Sequence, residues 1–429
     1  MICLVICQNN KSLAKDGLPI PAVNEDRFDV IPKRRENQSR TSTGHILTPA
    51  AANIPGIGFF YGFIGGIFNT LNTETDIFSY RFWGEMSGGG LGLTDISLHA
   101  SGLSLNIFYN VFDRASIELY PRGIKSDADQ RKIKHLNFFD AALAQINWRL
   151  FDRRIQLNAG INRQREHISH YSDLHYDHIF PDSDESLENV NLSYGSIFDL
   201  TDDRYDPRKG MIFEIFRYDR PRPVESKAWY YTLDYNLSLY VPVLGYSTLV
   251  FNSYRSDALV RRKGTESEDS IRSSLPYQCS GIEDQTKKNR CEELTALYVR
   301  DQKMENGHGS AIPIGGTQRM QAYPTNRLSG AHTQTFGTEF RLNLTQEFSP
   351  FNIGILSGIR TGLQLAAFYE VGTVTDHLNQ LYQKDQYINS YGGGVRLLLA
   401  SGFVIRLDFA KGNEGTQSIL IFQYPWNVF

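Results

Sequence analysis

Residues 103–120 read LSLNIFYNVFDRASIELY, and apolar side chains recur at every second position along most of this stretch. The apolar positions of one parity are Leu103, Leu105, Ile107, Tyr109, Val111, Ala115, Ile117 and Leu119. Only Asp113 interrupts this row. Because successive side chains of a strand point to opposite faces, the pattern predicts one strand with all of these residues on the same face. Strands of soluble proteins average about five or six residues, so 18 alternating residues favour a long, tilted strand of a membrane β-barrel.

Similar stretches recur along the rest of the chain. They lie at 57–68, 76–86, 136–151, 155–168, 190–200, 211–218, 228–241, 245–254, 333–348, 359–374, 387–399, 403–410 and 418–429. The sequence therefore predicts an all-β fold, a transmembrane antiparallel β-barrel of about 14 strands within a range of 12–16. We expect the barrel to occupy residues 54–429, and residues 1–53 to form a poorly structured N-terminal signal or arm. A large soluble β-sandwich or propeller explains the alternation, but not the length of the strands.

Composition agrees with a barrel. The chain has 429 residues, among them 23 Tyr, 26 Phe and 36 Gly, and it contains no apolar run long enough for a transmembrane helix. Barrel strands escape that test because lipid-facing and lumen-facing residues alternate. The net charge of -3 does not suggest nucleic acid as a partner.

The predicted connections between strands alternate in length. Short ones occur at 152–153, 242–245 and 400–402, and long polar ones at 121–134, 169–189 and 257–314. Outer-membrane barrels have short periplasmic turns and long external loops. We therefore expect the protein to lie in the outer membrane of a Gram-negative bacterium. Both chain termini would be in the periplasm, and membrane lipids would surround the barrel wall.

Cys279 and Cys291 lie in the longest predicted loop and enclose a polar, charged stretch. No histidine or further cysteine stands at zinc-binding spacing beside them. A loop disulfide is the favoured interpretation, and it would place the loop in an oxidising compartment. Two reduced, solvated thiols are the alternative.

Two motifs carry a family resemblance. The first is the glycine-rich stretch 314–330, IGGTQRMQAYPTNRLSG, and the second is DRYDPRKG at 203–210. Their marked residues are Gly315, Gly316, Arg319, Gln321, Ala322, Tyr323, Pro324, Asn326 and Gly330, and then Asp203, Asp206, Pro207 and Gly210. Proline presets the turn of the second motif, and glycine releases the chain into the next strand. Together the motifs resemble those of the BamA-type outer-membrane insertase superfamily, also called the bacterial surface antigen family.

The resemblance implies that the loop at 314–330 folds into the barrel lumen and that the turn at 203–210 is periplasmic. In the family, an Arg-Gly tip pairs with acidic residues on the two strands after the loop. Here Gln321 and Ala322 stand at the tip, while Glu339 and Glu370 occupy the acidic positions. A buried carboxylate needs a donor, so either a shifted arginine, Arg319 or Arg327, supplies it or the glutamine makes neutral hydrogen bonds.

The chain ends on the aromatic residue Phe429 after an alternating stretch. By resemblance, such an ending is the signal that outer-membrane assembly machinery recognises when it inserts a barrel. Pro425 is expected to mark a bulge, because proline cannot donate to a sheet ladder.

Other chemistry is weakly indicated. There is no G-x-S-x-G nucleophile elbow, and His167, His170, His175 and His178 have no regular metal-ligand spacing. A solvated polar loop explains these histidines better than a metal site does. We expect no enzymatic activity, no cofactor and no bound metal.

The resemblance implies that the barrel takes part in the assembly of outer-membrane proteins or lipids. It would act through a weak lateral seam between its first and last strands. Residues before 54 leave no room for a POTRA domain, so a short, barrel-only member is expected. A structural or interaction barrel, including a homodimer, is the alternative. A passive pore is the least favoured, because the loop would fill the lumen.

Overall fold

The computed structural model describes residues 43–426 apart from short gaps at 100–101, 152–153, 181–184, 205, 221–222, 224, 246, 276–277, 346–350, 354–355, 360–361 and 399–403. The strands in chain order are β1 (Gly44–Ile54), β2 (Gly58–Phe68), β3 (Asp76–Gly84), β4 (Ser87–His99), β5 (Leu103–Leu119), β6 (Lys132–Leu150), β7 (Ile155–Ser172), β8 (Glu185–Asp199), β9 (Gly210–Asp219), β10 (Trp229–Val243), β11 (Ser247–Arg262), β12 (His332–Asn343), β13 (Phe351–Ile353), β14 (Leu356–Ile359), β15 (Gly362–Thr375), β16 (Ile388–Leu398), β17 (Val404–Gly412) and β18 (Gly415–Ile421). Two helices, α1 (Glu268–Ser273) and α2 (Gln285–His308), lie between β11 and β12.

Sixteen of these strands close into one antiparallel barrel. Each pairs with its neighbour in the chain, β12 pairs with β15, and β1 meets β18 at the closure. The small hairpin of β13 and β14 stands apart from the wall. The predicted all-β barrel is confirmed, with 16 strands rather than about 14.

The two unpredicted strands are β1 and β4, and both are built from small residues. β1 begins at Gly44, ten residues before the predicted barrel boundary at 54, and its buried positions include Ala50 and Ala52. β4 contains four glycines, and a Cβ at Gly92 would overlap the ring of Phe78. β1 has Pro-Ala-Ala-Ala at 49–52 in place of alternating large side chains, and in β4 the alternation that Leu91 and Leu93 begin is broken by a bulge before Ile96. The predicted arm before residue 43 lies outside the described residues.

β5 confirms the alternation only as far as Asp113. Ile107 and Tyr109 are exposed on the outer wall, but Ala115 is buried. The pairing of β4 with β5 skips from Phe112 to Arg114, so a bulge interrupts the alternation there. Beyond it, Ala115 turns inward and packs with residues of β6, β7 and α2, so the prediction of one face for the whole strand was wrong.

The barrel has two different ends. We call the end where β1 starts and β18 stops the terminal end, and the end that carries α1 and α2 the loop end. Loop-end connections at 55–57, 85–86 and 413–414 are short, although long loops were expected there throughout. These three hairpins lie on both sides of the β1–β18 closure, so the long loops cover only the opposite part of the barrel.

The helices form a lid over the loop end. Cys279 and Cys291 are joined by a disulfide, and Cys291 packs with Leu136 and Ile168 of the wall. The Asp284 side chain caps the start of α2. In the described part of the chain, no helix is long and apolar enough to cross a membrane.

Asp173 ties α2 to the connection between β7 and β8. The Arg290 guanidinium donates to it at 2.8 Å, and the backbone N–H groups of His175 and Tyr176 donate at 3.0 and 2.8 Å. Burial alone would raise the pKa of Asp173, but these hydrogen bonds hold the pKa below its ordinary value. A carboxyl with a depressed folded pKa stabilises the structure above its unfolded pKa of about 3.9, and this contribution is lost as the pH falls through the folded value.

We therefore expect Asp173→Asn to loosen α2 at neutral pH, and the wild type to loosen only below about pH 4. Loss of a hydrogen bond between charged groups costs about 1.5–3 kcal/mol, so hydrogen exchange of α2 should rise roughly tenfold or more at pH 7. Hydrogen–deuterium exchange, corrected for intrinsic rates at each pH, measures this. Asp129→Asn, on an adjacent exposed turn, is the control. Equal protection of α2 in wild type and D173N at pH 7 would contradict the prediction.

Candidate functional site

Residues 309–331, which we call the lumen loop, run from the end of α2 into the barrel. Ile314 and Leu328 pair as an isolated bridge, with N–O distances of 2.9 and 3.0 Å, and make the loop a closed hairpin. Gly315 has a φ of 115°, and a Cβ there would overlap the carbonyl oxygen of Pro324. Met320 and Gln321 at the tip are fully buried. The loop is an ordered plug.

Glu370 of β15 receives the loop tip. The backbone N–H of Gln321 donates to it at 2.9 Å, and the Ser390 hydroxyl donates to the same oxygen at 3.1 Å. Ser390 also accepts from the N–H of Ala322 at 3.0 Å. The acidic residue thus binds the backbone of the tip, which does not depend on the side chains found there.

An arginine of the wall binds the glutamine of the tip. Arg406 of β17 donates to the side-chain oxygen of Gln321 at 2.8 Å and also to the carbonyl of Thr317. It pairs with Asp408 at 3.1 Å on its own strand. The polarity implied by the resemblance is therefore reversed: the cation stands on the wall and the neutral acceptor on the loop.

Glu339 of β12 is held by two arginines of the wall. Arg341 lies on the same strand at 2.5 Å, and Arg396 of β16 donates to both carboxylate oxygens. None of these three side chains is more than 2% exposed. Such a buried network is stable only while every member is paired.

Arg319 and Arg327, the expected donors, bind elsewhere. Arg319 donates to Asn236 at 3.1 Å and lies 3.8 Å over the ring of Tyr254. Arg327 forms a two-pronged pair with Glu414 at 2.7 and 2.9 Å. The alternative of a shifted loop arginine was wrong, because wall arginines bind Glu339 and neutral N–H and O–H groups bind Glu370. The sequence did indicate these wall ion pairs. Glu339 and Arg341 are two residues apart in one strand, as are Arg406 and Asp408, so each pair lies on one face.

The lumen loop also connects the two hairpins beside the barrel closure. The backbone N–H of Thr325 donates at 2.9 Å to Pro55, in the β1–β2 turn. Two residues later, Arg327 holds Glu414 in the β17–β18 turn. The loop thus bridges the closure at the loop end.

The remaining loop motif residues support this placement. The Tyr323 hydroxyl donates to the carbonyl of Asn389 at 3.1 Å. Asn326 adopts a left-handed conformation with φ 59°, and Gly316 has a φ of 99°. A Cβ at Gly330 would crowd the backbone of Thr375.

The motif at 203–210 lies at the terminal end, between β8 and β9. Asp203 and Asp206 are buried, and Gly210 has a φ of 110° with no room for a Cβ beside Leu200. Asp206 accepts a hydrogen bond from the Tyr424 hydroxyl at 2.8 Å. The turn therefore contacts the C-terminal segment inside the barrel.

The C-terminal segment leaves the wall after Ile421, so the predicted strand at 418–429 was too long. Tyr424 and Trp426 are buried in the lumen. The Trp426 indole donates to Glu370 at 2.8 Å, and its backbone N–H donates to the Gln318 carbonyl at 3.1 Å. Pro425 has no N–H for a ladder, which favours this departure. Phe429 lies outside the described residues, so its part in assembly stays a prediction.

The closure between β1 and β18 is short. One Cα pair joins them, Asn53 with Leu420, and the Asn53 side chain donates to the Ser418 carbonyl at 2.7 Å. By comparison, seven pairs join β17 to β18 and eleven join β1 to β2. Among the described residues, the register between β1 and β18 therefore consists of this single pair.

The histidines outside the lumen form a stack. The rings of His135, His170 and His178 lie parallel, with centroids 4.3 and 4.2 Å apart. No group of three or more side chains suited to a metal ion occurs among the described residues.

The sequence matches one known protein family. A family model described as the Omp85 superfamily domain matches residues 84–424. No curated protein matches the sequence.

Solved structures include similar barrels. BamA from Haemophilus ducreyi lacking POTRA domains 1–3 is 12% identical with a TM-score of 0.46, over 90% of this chain and 70% of that one. CdiB from Acinetobacter baumannii is 10% identical with a TM-score of 0.46, over 89% of this chain. CdiB from Escherichia coli is 10% identical with a TM-score of 0.45, over 90% of this chain. The chain covers 59% and 61% of the two CdiB chains.

Proposed function

Because this chain belongs to the Omp85 superfamily, as its loop and turn motifs predict, we propose that it is an outer-membrane barrel that assists protein or lipid assembly through its β1–β18 seam. The observation that carries this proposal is the single Cα pair between β1 and β18, Asn53 with Leu420. No enzymatic activity and no cofactor are part of the proposal.

Placement in the outer membrane of a Gram-negative bacterium is supported by the outer wall. Large apolar side chains occupy outward positions on strand after strand. They include Phe63, Ile107, Tyr109, Ile146, Trp148, Leu157, Leu192, Leu237, Leu239, Phe251, Phe336, Tyr369, Val395 and Leu407. Such a surface would be costly in water and is stabilised by lipid.

The wall is short on the β18 side of the seam. β18 has 7 residues and β17 has 9, and β1 on the other side has 11, whereas β5, β6 and β7 have 17, 19 and 18. A short hydrophobic wall is accommodated by thinning of the adjacent bilayer. A thinner bilayer lowers the barrier for an incoming strand at the place where a single register pair closes the barrel.

Parting of the β1–β18 seam would expose the backbone of β1 to another strand. An extended segment of a client protein adds to β1 by backbone hydrogen bonds, the mode called β-augmentation. The lumen loop holds the two flanking hairpins together through Pro55 and Glu414. We therefore propose that the seam opens when the Asn53–Leu420 pair parts, while the lumen loop keeps the two loop-end hairpins together.

The short β1–β18 register also suits a second candidate, a structural or interaction barrel that forms a homodimer. Two copies of β1 would pair antiparallel about a two-fold axis. Chemical crosslinking in native membranes that yields only monomer would remove this candidate. The lumen loop and C-terminal segment fill the interior, which disfavours a passive pore.

The proposed function is tested by reconstituting the purified barrel in liposomes and following the folding of an unfolded outer-membrane protein. Liposomes with an unrelated porin give the baseline. We expect faster folding than with the porin, because the seam supplies both a template edge and a thinned bilayer. A rate equal to that with the porin would leave the structural barrel as the better account.

A further inference from the structure

A cluster of arginine and aromatic side chains lies on the outer wall at the loop end of β8 to β11. We call it the arginine patch, and its members are Tyr194, Arg217, Asp219, Trp229, Tyr231 and Arg261. On β10, Trp229 and Tyr231 share the outward parity of Leu237 and Leu239, which are exposed. The patch therefore stands at the margin of the apolar outer surface.

Aromatic rings fix both guanidinium groups of the patch. Arg217 lies 3.8 Å from the centroid of Tyr231 and 5.5 Å from that of Tyr194. Arg261 lies 4.9 Å from Tyr231 and 5.1 Å from Trp229. A guanidinium stacked on a ring keeps its N–H edge free for a planar or tetrahedral oxyanion. The two edges are thus preorganised side by side.

The patch has more positive than negative charge. One carboxylate, Asp219, serves both arginines, at 2.8 Å from Arg217 and 3.3 Å from Arg261. Each guanidinium has five N–H donors, so a single shared carboxylate leaves several for another acceptor. The side chains of Arg217 and Arg261 are 26% and 36% exposed, so such an acceptor can reach them.

Other arginines of the outer wall are arranged differently. Arg81 has its own carboxylate, Asp113, at 2.8 Å, and Arg163 has Glu188 at 2.6 Å. These pairs are balanced in charge and are more exposed than the patch. They provide matched controls on the same surface.

We propose that the arginine patch binds the phosphate of an anionic membrane lipid. Apolar side chains such as Leu237 and Leu239 would contact the acyl chains, while the two arginines bind the headgroup phosphate. Tryptophan and tyrosine are suited to this depth, because one end of each ring system is apolar and the other polar. The inference rests on the proposed membrane location and is independent of activity at the seam.

Native mass spectrometry of the purified barrel in maltoside micelles tests the site. Phosphatidylglycerol is the ligand, diacylglycerol with the same acyl chains is the phosphate-free probe, and inorganic phosphate is the competitor. We expect wild type to prefer phosphatidylglycerol and the R217Q/R261Q variant to bind it at least about tenfold more weakly. The R81Q/R163Q variant should bind like wild type. Asp219→Asn should bind more tightly, because it removes the competing carboxylate.

Equal affinity of R217Q/R261Q and R81Q/R163Q would overturn the proposal. Displacement of the lipid by an equal concentration of inorganic phosphate would also overturn it, by reducing the patch to an ion site. Should R217Q/R261Q not fold, D219N decides alone, since unchanged or weaker binding contradicts the proposal. The lipid-binding measurement contains no client protein. A negative result in it therefore does not bear on the proposed activity at the seam.

Discussion

Glu339→Gln is expected to lower the free energy of unfolding by about 3–5 kcal/mol, the usual cost of removing one partner from a buried ion pair. Arg341 and Arg396 both donate to this carboxylate, and all three side chains are almost completely buried. Glutamine preserves the shape but leaves two guanidinium groups facing a neutral amide. A buried cation without a counter-charge is then the dominant cost.

Urea unfolding in micelles, followed by the loss of the compact folded band in unheated electrophoresis, measures the effect. Glu188→Gln is the matched control, because Glu188 pairs with Arg163 on the exposed wall. Exposed pairs contribute about 0–1 kcal/mol, so this variant should unfold close to wild type. A similar small change in E339Q would show that the buried network does not stabilise the wall.

Trp426→Ala is expected to release the C-terminal segment from the lumen. The indole donates to Glu370, packs with Tyr240 and Val250, and covers Gly337, where a Cβ would meet its ring. Replacing a buried tryptophan by alanine typically costs about 3–5 kcal/mol. This exceeds what the backbone hydrogen bonds of Trp426 retain, so the segment should leave the lumen after Tyr424, which stays bound to Asp206.

Carboxypeptidase digestion of the folded protein reports the release. In wild type, digestion from the C-terminus should stop before it removes Trp426. In W426A, residue 426 should be removed rapidly. Trp426→Phe keeps one aromatic ring but loses the rest of the indole and its hydrogen bond to Glu370, so it should fall between the two. Trp83→Ala, on the outer wall, is the control. Resistance of W426A equal to that of wild type would mean that the segment is held by other contacts.

Large apolar side chains made most of the barrel visible in the sequence. β5 and β10 were evident because rows of leucine, tyrosine and isoleucine alternate along them. β1 and β4 were missed because alanine and glycine face the lumen where rings from neighbouring strands need the space. The bulge at Asp113 could not be predicted either. A charged residue interrupts the apolar alternation in the same way whether or not a bulge reverses the faces of the strand.

The lumen contacts could be predicted only in part. The acidic positions Glu339 and Glu370 and the buried loop followed from the motif. Their partners did not, because Arg396 and Arg406 reach them across strands that are distant in the chain. The inward turn of the C-terminal segment was also hidden: an alternating aromatic ending looks the same whether it pairs with β1 or enters the lumen.

A disulfide across the β1–β18 seam is the most direct test of whether client folding is accelerated through this seam. Asn53 and Leu420 are register partners, and opposite residues of antiparallel strands lie about 4.5–5.5 Å apart, within disulfide range. The N53C/L420C variant, made with serine at Cys3 and Cys7, should lose its acceleration of client folding in liposomes when oxidised and regain it when reduced. A control bond between Ser196 and Ile215, paired on β8 and β9, should leave the rate unchanged. Full acceleration by the oxidised N53C/L420C barrel would contradict assembly through the seam.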